Sequence, residues 1–216
     1  EAALRIVLAC LQGHAAPMGR VVEPVVCLSI DFYIRLFVRV RLDRRGVLAA
    51  SSRVGHAYHC RGCDSYELQP FGAPKGASTA AARGPSPQIS KGCMCGFPSG
   101  WTLAGPMWLG PLCDVSFVGG MLDLLDDLES SGLGGISSGA RLSGLLLLLG
   151  SEAPSPLFMQ HAAMCKVLRC NPPKLAGLRA LVHQAGFNVS QSHTDPLAIK
   201  TDAPPALLWD LMRVWA

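Results

Sequence analysis

The residues whose types and spacing point most clearly to chemistry are four cysteines in the first half of the chain. Cys60 and Cys63 are separated by two residues and Cys93 and Cys95 by one, with 29 residues between the two pairs. A Cys-x-x-Cys turn points two thiolates at one ion, and a second pair completes the tetrahedral set of four sulfur ligands that zinc prefers. The sequence therefore predicts a zinc site formed by Cys60, Cys63, Cys93 and Cys95.

Other interpretations of these cysteines stay open at this stage. The second pair is one residue shorter than usual, because Gly92 occupies the position where the fourth ligand is expected. His56 and His59 lie nearby and could replace a weak ligand. Unligated thiols are the structural alternative, and a redox Cys-x-x-Cys is less favoured because no strand–helix pattern surrounds it.

The remaining cysteines favour a reducing compartment. The chain has nine cysteines, an odd number, whereas a secreted disulfide scaffold is shorter and pairs its cysteines evenly. The other five lie in apolar or helical stretches: Cys10, Cys27, Cys113, Cys165 and Cys170. We expect a protein that is not secreted.

A second constellation, Ser29-x-Asp31-x-Tyr33-x-Arg35, places polar groups at alternate positions of a predicted strand. That face could contact a nucleotide or a loop of an adjoining catalytic domain. An ion pair of Asp31 with Arg35 or Arg39 is the simpler interpretation and is slightly favoured.

No catalytic centre is recognisable in the sequence. The six histidines do not combine with a serine or an aspartate into a nucleophile arrangement, and the Gly-rich stretch 131–139 lacks the preceding strand of a phosphate-binding loop. We therefore predict neither catalytic nor donor-binding residues within these 216 residues.

Charge is distributed in blocks along the chain. The net charge is +3 over residues 1–50, +3 over 51–105, −5 over 106–154 and +3 over 155–216. Two basic flanks around an acidic middle suit a polyanionic partner, although a solvated surface would look the same. The longest apolar run in the Leu-rich region, Leu145 to Leu149, is too short to span a bilayer, so we expect no membrane insertion.

Hydrophobic periodicity predicts the elements of the first half. Residues 1–15 repeat apolar side chains at helical spacing, and 21–42 predict either a strand pair or one long bent strand. Its alternation places Phe32, Ile34, Leu36, Val38 and Val40 on one face and Arg35, Arg39 and Arg41 on the other. The low-complexity stretch 72–92 predicts a loop without a fixed fold, before order returns at Trp101.

The second half is predicted to be mainly helical. Helices are expected at 115–130 and 140–149, joined by the flexible segment 131–139. A helix at 157–168, a turn and a helix at 173–185 follow, then a strand at 187–192, an extended loop through 201–204 and a last helix at 205–215. Helix, turn, helix and strand in this order are typical of a winged helix.

Several stretches, in order along the chain, resemble the tRNA guanine-26 dimethyltransferases of eukaryotes and archaea. They are SIDFYIRLFVRV at 29–40, HCRGCDSYELQPFG at 59–72, CGFPSGWTLAGPMWLGPLCDVSFV at 95–118, SQSHTDPL at 190–197 and AIKTDAPPALLWDLMRVW at 198–215. Stretches 72–92 and 130–150 do not resemble the family.

The resemblance implies an α/β fold in three parts. Residues 1–45 would be the last helix and strands of a Rossmann-like class I methyltransferase domain, 46–118 a zinc-binding segment, and 119–216 a winged-helix-like α+β domain that binds tRNA. Family members transfer two methyl groups from S-adenosylmethionine to a guanine near the tRNA elbow, and their donor site lies earlier in the chain. The resemblance also implies that Cys60, Cys63 and Cys95 are zinc thiolates, with Cys93 one position out of register.

The resemblance and the charges together predict the partners. We expect a monomer that binds tRNA and zinc, and that by itself transfers no methyl group, in the nucleus, the cytosol or mitochondria. The basic residues proposed to contact tRNA are Arg35, Arg39, Arg41, Lys166, Arg169, Lys174, Arg179 and Lys200. A non-catalytic zinc and winged-helix module and an inactive paralogue remain the alternatives.

Overall fold

The structure is a computed structural model that describes residues 1–63, 65–72, 93, 95, 100–131 and 136–216. Within these ranges its helices and strands, in chain order, are α1 (Ala2–Ala15), β1 (Arg20–Ile30), β2 (Tyr33–Leu42), α2 (Arg44–Ala50), β3 (Val54–Cys60), β4 (Tyr66–Pro70), β5 (Trp101–Trp108), α3 (Val115–Ser130), α4 (Gly139–Gly150), β6 (Met159–Gln160), α5 (His161–Leu168), α6 (Leu175–Gln184), β7 (Val189–Ser192), β8 (Asp195–Thr201) and α7 (Pro205–Trp215).

Strands β1 and β2 form an antiparallel hairpin, so the strand pair predicted over 21–42 is confirmed and the single bent strand is wrong. Ile34, Leu36 and Val38 pack towards the core as predicted. Phe32 and Val40 are exposed instead, because Phe32 falls in the hairpin turn and Val40 lies beyond the packed part of the strand. The outer face of β2 carries the three arginines, as the alternation predicts.

A three-stranded antiparallel sheet in the order β4-β3-β5 occupies the middle of the described chain. Neither this sheet nor α2 was predicted from the sequence. Helix α2 crosses the predicted domain limit at residue 45, and its N-cap is Asp43, whose carboxylate accepts from the amide of Gly46 at 2.8 Å. At the start of α3, the Asp114 carboxylate accepts from the amides of Ser116 and Phe117, as expected of an N-cap.

The C-terminal region contains a sheet in the order β6-β8-β7, with α5, α6 and α7 beside it. The predicted helix 157–168 begins only at His161, because Met159 and Gln160 pair with β8. The extended loop expected between the strand 187–192 and residue 204 is wrong for most of its length, because Asp195–Thr201 is the strand β8, which forms a hairpin with β7. Gly186, with a φ of +87°, ends α6 in a conformation that favours glycine.

Three buried clusters show how these elements pack. One joins β1 to α1, Trp108 and Leu112, and a second joins β1 to α3 and α4. The third places Cys60 and Cys63 among apolar side chains of β6, β8, α5, α6 and α7. The clusters therefore cross the predicted limits at residues 45 and 118, and the division into three parts remains a prediction.

Two sequence predictions lie largely outside the described residues. The loop 72–92 is described only at Gly72, and the segment 131–139 only at 131 and 136–139. Among the helices of the described part of the chain, none has both the length and the apolar character needed to cross a bilayer.

Candidate metal centre and nucleic-acid interface

The first two cysteines are positioned by the end of strand β3. Cys60 is its last residue, and its amide donates to the carbonyl of Ser65 at 2.8 Å, which brings Ser65 back to the end of the strand in a tight turn. Within that turn the amide of Gly62 donates to Cys60 Sγ at 3.4 Å. The Cys63 thiol donates to Ser65 Oγ at 3.1 Å, so both sulfurs are held by short-range contacts.

Cys93 and Cys95 complete a four-sulfur cluster. Cys60 Sγ lies 3.6 Å from Cys95 Sγ, and Cys63 Sγ lies 3.5 Å from Cys93 Sγ. All four sulfurs lie within 4.8 Å of one another. Four sulfurs placed tetrahedrally around zinc, each about 2.3 Å from it, are about 3.8 Å apart. The donor set and its spacing therefore fit a four-thiolate metal ion.

The electrostatics of the cluster differ from sulfur to sulfur. Burial raises the pKa of Cys63, and it raises that of Cys93 to about 11. The pKa of Cys60 is lowered: burial acts against this, but the Gly62 amide and the neighbouring thiols favour its thiolate. Four thiolates in so small a volume repel one another unless a cation lies between them.

The two histidines considered as replacement ligands do not join the cluster. The ring of His56 packs edge-on against Phe71 at a centroid distance of 4.8 Å, and His59 lies 6.0 Å from the ring of Tyr66. Among the described residues, the one group of potential metal ligands found consists of the four cysteines. Of the other five, Cys27 and Cys165 are buried, and burial raises the pKa of the Cys27 thiol to about 12.

The cysteine cluster is packed into the C-terminal region through α7. Trp209 is buried, and its indole Nε1 donates to Ser65 Oγ at 3.1 Å, on the turn that carries Cys63. The same apolar cluster includes Met164, Leu208 and Met212. A metal at this site would therefore brace the contact between the β3 turn and helices α5 and α7.

Six of the eight basic residues proposed to contact tRNA are exposed. They are Arg35, Arg39, Arg41, Lys166, Arg169 and Lys174. Arg41 forms an ion pair with Glu23 across the hairpin.

The ion pair expected between Asp31 and Arg35 or Arg39 is wrong. The partner of Asp31 is Arg141 of α4, at 2.9 Å. The long-range pairing of the hairpin tip with α4 has no signal in the local sequence.

Lys200 requires a correction, because it is not available to a phosphate. Its side chain is only 2 % exposed, and Nζ donates to Glu1 Oε2 at 3.0 Å and to Glu152 Oε2 at 2.7 Å. Two carboxylates thus neutralise the ammonium inside the fold. We remove Lys200 from the proposed tRNA contacts.

Arg179 is also engaged by the protein. Its guanidinium NH2 donates to the carbonyls of Ala198 at 2.8 Å and Pro196 at 3.3 Å, and the residue is half-buried. Burial lowers the pKa of Arg179. Its contacts fasten α6 to β8, so we assign it a structural role in place of a tRNA contact.

A buried ionic network surrounds Lys200, and the sequence did not reveal it. Arg5 Nε donates to Glu1 Oε1 at 2.8 Å, and its NH1 donates to the carbonyls of Trp108 and Gly110. Burial acts to raise the pKa of Glu152, but the hydrogen bond from His193 and the charge of Lys200 lower it to about 2. The network, which we call the ionic bridge, consists of Glu1, Arg5, Glu152, His193 and Lys200.

The contacts of His193 fix its tautomer. Nδ1 lies 2.6 Å from Glu152 Oε1, while Nε2 lies 3.3 Å from the amide of Ser29. Since the Ser29 amide can only donate, Nε2 must accept, and the proton lies on Nδ1. The ionic bridge thereby connects β1 and α1 to the β7–β8 hairpin. The adjacent Ser192 and His193 and the later Lys200 in SQSHTDPLAIK gave no local indication that they would lie in a network with Glu1 and Arg5.

Comparisons with known proteins agree with the resemblance of the motifs. The sequence profile of the N2,N2-dimethylguanosine tRNA methyltransferase family matches residues 1–213. The tRNA (guanine(26)-N(2))-dimethyltransferase of Mus musculus is 38 % identical over 222 residues, covering 100 % of this chain and 32 % of that protein. One Arabidopsis thaliana enzyme of the same name is 34 % identical, and the alignment covers 100 % of this chain and 36 % of that protein.

A mitochondrial relative and a solved structure extend the comparison. The mitochondrial tRNA (guanine(26)-N(2))-dimethyltransferase of Saccharomyces cerevisiae is 33 % identical, covering 99 % of this chain and 39 % of that one. The structure of Trm1 from Pyrococcus horikoshii with S-adenosyl-L-methionine superimposes with a TM-score of 0.74 at 22 % identity, covering 96 % of this chain and 48 % of that chain. That likeness shows a shared α/β fold.

The chain spans about a third of the length of the curated relatives it matches. The family predicted from the motifs is nevertheless confirmed over nearly the whole chain. This chain belongs to the N2,N2-dimethylguanosine tRNA methyltransferase family.

Proposed function

We propose that this chain is the zinc-containing, tRNA-binding part of an S-adenosylmethionine-dependent tRNA (guanine(26)-N(2))-dimethyltransferase. The observation that carries the proposal is the family match over residues 1–213. Because the relatives are about three times as long, their activity and substrate are extended to this chain as a proposal. The resemblance implies that members of the family bind the methyl donor in another part of their chains. These 216 residues do not correspond to that part.

In this proposal the chain combines three structural parts. Helix α1 and the β1–β2 hairpin form the end of a Rossmann-like methyltransferase sheet. The order β6-α5-α6-β7-β8-α7, with a β7–β8 hairpin after two helices, supports a winged-helix-like C-terminal part. Between them lies the segment that carries the four cysteines.

The proposed zinc has a structural role. A site with four thiolates is closed and leaves no position for a substrate, unlike catalytic zinc, which keeps one ligand position for water. The residues that would hold it are Cys60, Cys63, Cys93 and Cys95, whose sulfur spacing fits the ion. The ion would neutralise the thiolates and brace the β3 turn against Trp209 of α7.

The proposed tRNA contacts are electrostatic. Arg35, Arg39 and Arg41 extend along one exposed strand face, and Lys166, Arg169 and Lys174 lie around α5 and the α5–α6 turn. Guanidinium and ammonium groups at such positions bind phosphate oxygens and release counterions. We expect the compartment to be the nucleus, the cytosol or mitochondria, and the chain to be monomeric.

Elemental analysis tests the metal. The purified chain should contain about one zinc, as expected of a four-thiolate site, and a chelator should abolish its cooperative unfolding, because structural zinc contributes directly to folding. Cys63→Ser should lose the metal, whereas Cys10→Ser, at an exposed cysteine outside the cluster, should keep it. Only traces of zinc in protein that stays folded with chelator would contradict the proposal.

Two assays on the 216-residue chain test the rest of the proposal. It should bind tRNA with a steep dependence on salt, and it should transfer no radiolabelled methyl group from S-adenosylmethionine, because the methyl cannot be held at reacting distance without a donor site. Absence of tRNA binding at low salt would contradict the proposed role in tRNA binding. Methyl transfer by this chain alone would contradict the assignment of the donor site elsewhere.

A further inference from the structure

Strand β8 is held on both of its faces by residues that come earlier in the chain. Because successive side chains of a strand point to opposite faces, those of Ile199 and Lys200 extend in opposite directions. Ile199 packs in the apolar cluster that contains the cysteines of the β3 turn. Lys200 belongs to the ionic bridge, where it donates to Glu1 and Glu152. The cysteine cluster and the ionic bridge therefore hold β8 between them.

The Glu1 carboxylate joins three segments of the chain. Its Oε1 accepts from Arg5 Nε at 2.8 Å and from the amide of Leu157 at 2.9 Å, and its Oε2 accepts from Lys200 Nζ at 3.0 Å. Burial acts to raise the pKa of Glu1, but Arg5 and Lys200 lower it, so the carboxylate is charged at neutral pH. Helix α1, the segment before β6 and strand β8 thus meet at one charged group.

The backbone of Leu157 is strained at this meeting point. Its φ of 62° lies in the left-handed region, which is unfavourable for a residue with a side chain and persists only where the surroundings enforce it. Here the Glu1 carboxylate binds its amide, and its side chain packs against Ala57 and Met107 of the middle sheet. The segment that leads into β6 is therefore held by the ionic bridge against its own backbone preference.

Other contacts between the C-terminal elements and the start of the chain are sparse. Among the described residues, the elements from β6 to α7 do not pack extensively on α1 or β1. The bond from the Ser29 amide to His193 Nε2, at 3.3 Å, reaches β1, and the contact of Lys200 with Glu1 reaches α1. A part of a protein that is held at one contact can rotate about it, whereas contacts on two faces fix its direction.

The direction of the C-terminal part matters for the reaction of the family. Three basic residues proposed to contact tRNA, Lys166, Arg169 and Lys174, lie around α5 and the turn that follows it. A transferase must hold the target group at reacting distance from the donor, and a displacement of about 1 Å can lower the rate about 100-fold. A tRNA held by these residues would be displaced by any rotation of the part that carries them.

We propose that the ionic bridge fixes the direction of the C-terminal part, residues 159–216, relative to α1 and β1, with Glu152 and Lys200 as positioning residues. The cysteine cluster on one face of β8 acts as a pivot, and the ionic bridge on the other face prevents rotation about it. The five side chains are at most 6 % exposed, so the contacts that hold them lie within these 216 residues. The inference rests on the proposed function, because it names residues that align the tRNA-binding part with the methyltransferase sheet.

Distances between two spin labels on the metal-loaded, 216-residue chain test the proposal. Labels are attached through a ketone-bearing amino acid, which leaves the cysteines unmodified, at the exposed Met18 just after α1 and the exposed Gln184 at the end of α6. Electron paramagnetic resonance of the wild type should give one narrow distribution of distances. Lys200→Met removes the shared cation and should broaden this distribution about twofold or more, as expected of parts that move about a single contact.

Three further variants identify the cause of the effect. Glu152→Gln leaves Lys200 with one carboxylate and should also broaden the distribution, and it replaces Lys200→Met if that variant does not fold. Lys200→Arg keeps the charge, and a cavity of about 70 Å³ beside Lys200 has room for the larger head, so this variant should stay narrow. Lys166→Met makes the same change as Lys200→Met at an exposed position of α5 and should resemble the wild type.

A second pair of labels separates positioning from general loosening of the fold. Gln184 on α6 and Asp210 on α7 are both exposed and both lie in the C-terminal part. Their distance should stay as narrow in Lys200→Met and Glu152→Gln as in the wild type, because the ionic bridge lies outside this pair. A variant that merely destabilises the C-terminal part would broaden both distributions.

Each result decides between the proposals. A Met18–Gln184 distribution that stays narrow in Glu152→Gln, or that is already broad in the wild type, overturns the positioning role. Equal broadening of the Gln184–Asp210 distribution also overturns it, as does a Lys200→Arg variant as broad as Lys200→Met. If all distances behave as expected but the wild type does not bind labelled tRNA at low salt, the positioning role stands and the proposed function fails.

Discussion

Two regions of the molecule carry basic side chains in strands, yet the structure uses them in opposite ways. On β2 the arginines are exposed and alternate with apolar residues that pack inwards. On β8, Lys200 is buried and held by two carboxylates. The same residue class, predicted from sequence to bind tRNA in both strands, is a surface group in one and part of an internal ionic network in the other.

The difference is visible in the burial pattern of the two strands. Along β8 the residues from Ala198 to Thr201 are all buried, so both faces of the strand are covered. A charged side chain in such a strand must find an opposite charge inside the protein, since a buried unpaired charge costs several kcal/mol. In β2 one face is left open, and a charge there needs no partner.

The largest effect should follow from removing the buried ammonium. Lys200→Met leaves Glu1 and Glu152 without their shared cation, and we expect the free energy of unfolding to fall by about 3 to 5 kcal/mol. Chemical denaturation of the metal-loaded chain measures it. The control is Lys174→Met at an exposed position, which should change stability by no more than about 0.5 kcal/mol. Equal stabilities of the two variants would abolish the distinction between the regions.

An acid titration should give the next largest effect. The pKa of Glu152 is lowered to about 2 from its usual 4.5, so its carboxylate stabilises the fold above pH 4.5, and this stability is lost as the pH falls towards 2. This lowering of the Glu152 pKa corresponds to roughly 3 kcal/mol in the free energy of unfolding. Between about pH 6 and pH 3 the wild type should therefore lose more stability than Glu152→Gln does. Parallel stability curves for the two proteins would show that the carboxylate is not stabilised by its neighbours.

A smaller effect is expected at Arg179, which is intermediate between the two regions. Arg179→Met removes its hydrogen bonds to the carbonyls of Pro196 and Ala198. The free energy of unfolding should fall by about 1 to 3 kcal/mol, as for hydrogen bonds from a charged group. The slope of log affinity for tRNA against log salt should stay the same. A decrease in that slope would return Arg179 to the tRNA-binding surface.

Local patterns predicted most of the elements but not their partners. The limits of α1, α3, α4 and α7 were predicted to within about two residues, because apolar periodicity and the N-cap Asp114 are encoded nearby. Strand β8 and the late start of α5 were missed, because Met159 and Gln160 pair with residues some 40 positions away. Sheet partners are chosen by the whole fold, and a single strand does not reveal them.

At the candidate site, too, the local sequence predicted the local features and missed the long-range contacts. The turn from Cys60 to Cys63 is local, and its thiol spacing predicted the cluster that the structure brings together. The ionic bridge joins residues nearly 200 positions apart, so nothing around Lys200 distinguished it from a phosphate-binding lysine. Exposure of Arg35 and Arg39 was predicted correctly because strand alternation is a local property.

The most direct test of the account is the salt dependence of tRNA binding by three proteins. They are the wild type, the double variant Arg35→Gln with Arg39→Gln, and Arg213→Gln, whose arginine lies on α7 in an ion pair with Asp210. If the β2 arginines bind phosphates, the slope of log affinity against log salt should decrease by about 0.7 to 0.9 for each arginine removed. The slope for Arg213→Gln should equal that of the wild type. Identical slopes for the wild type and the double variant would contradict the claim that the exposed face of β2 holds tRNA.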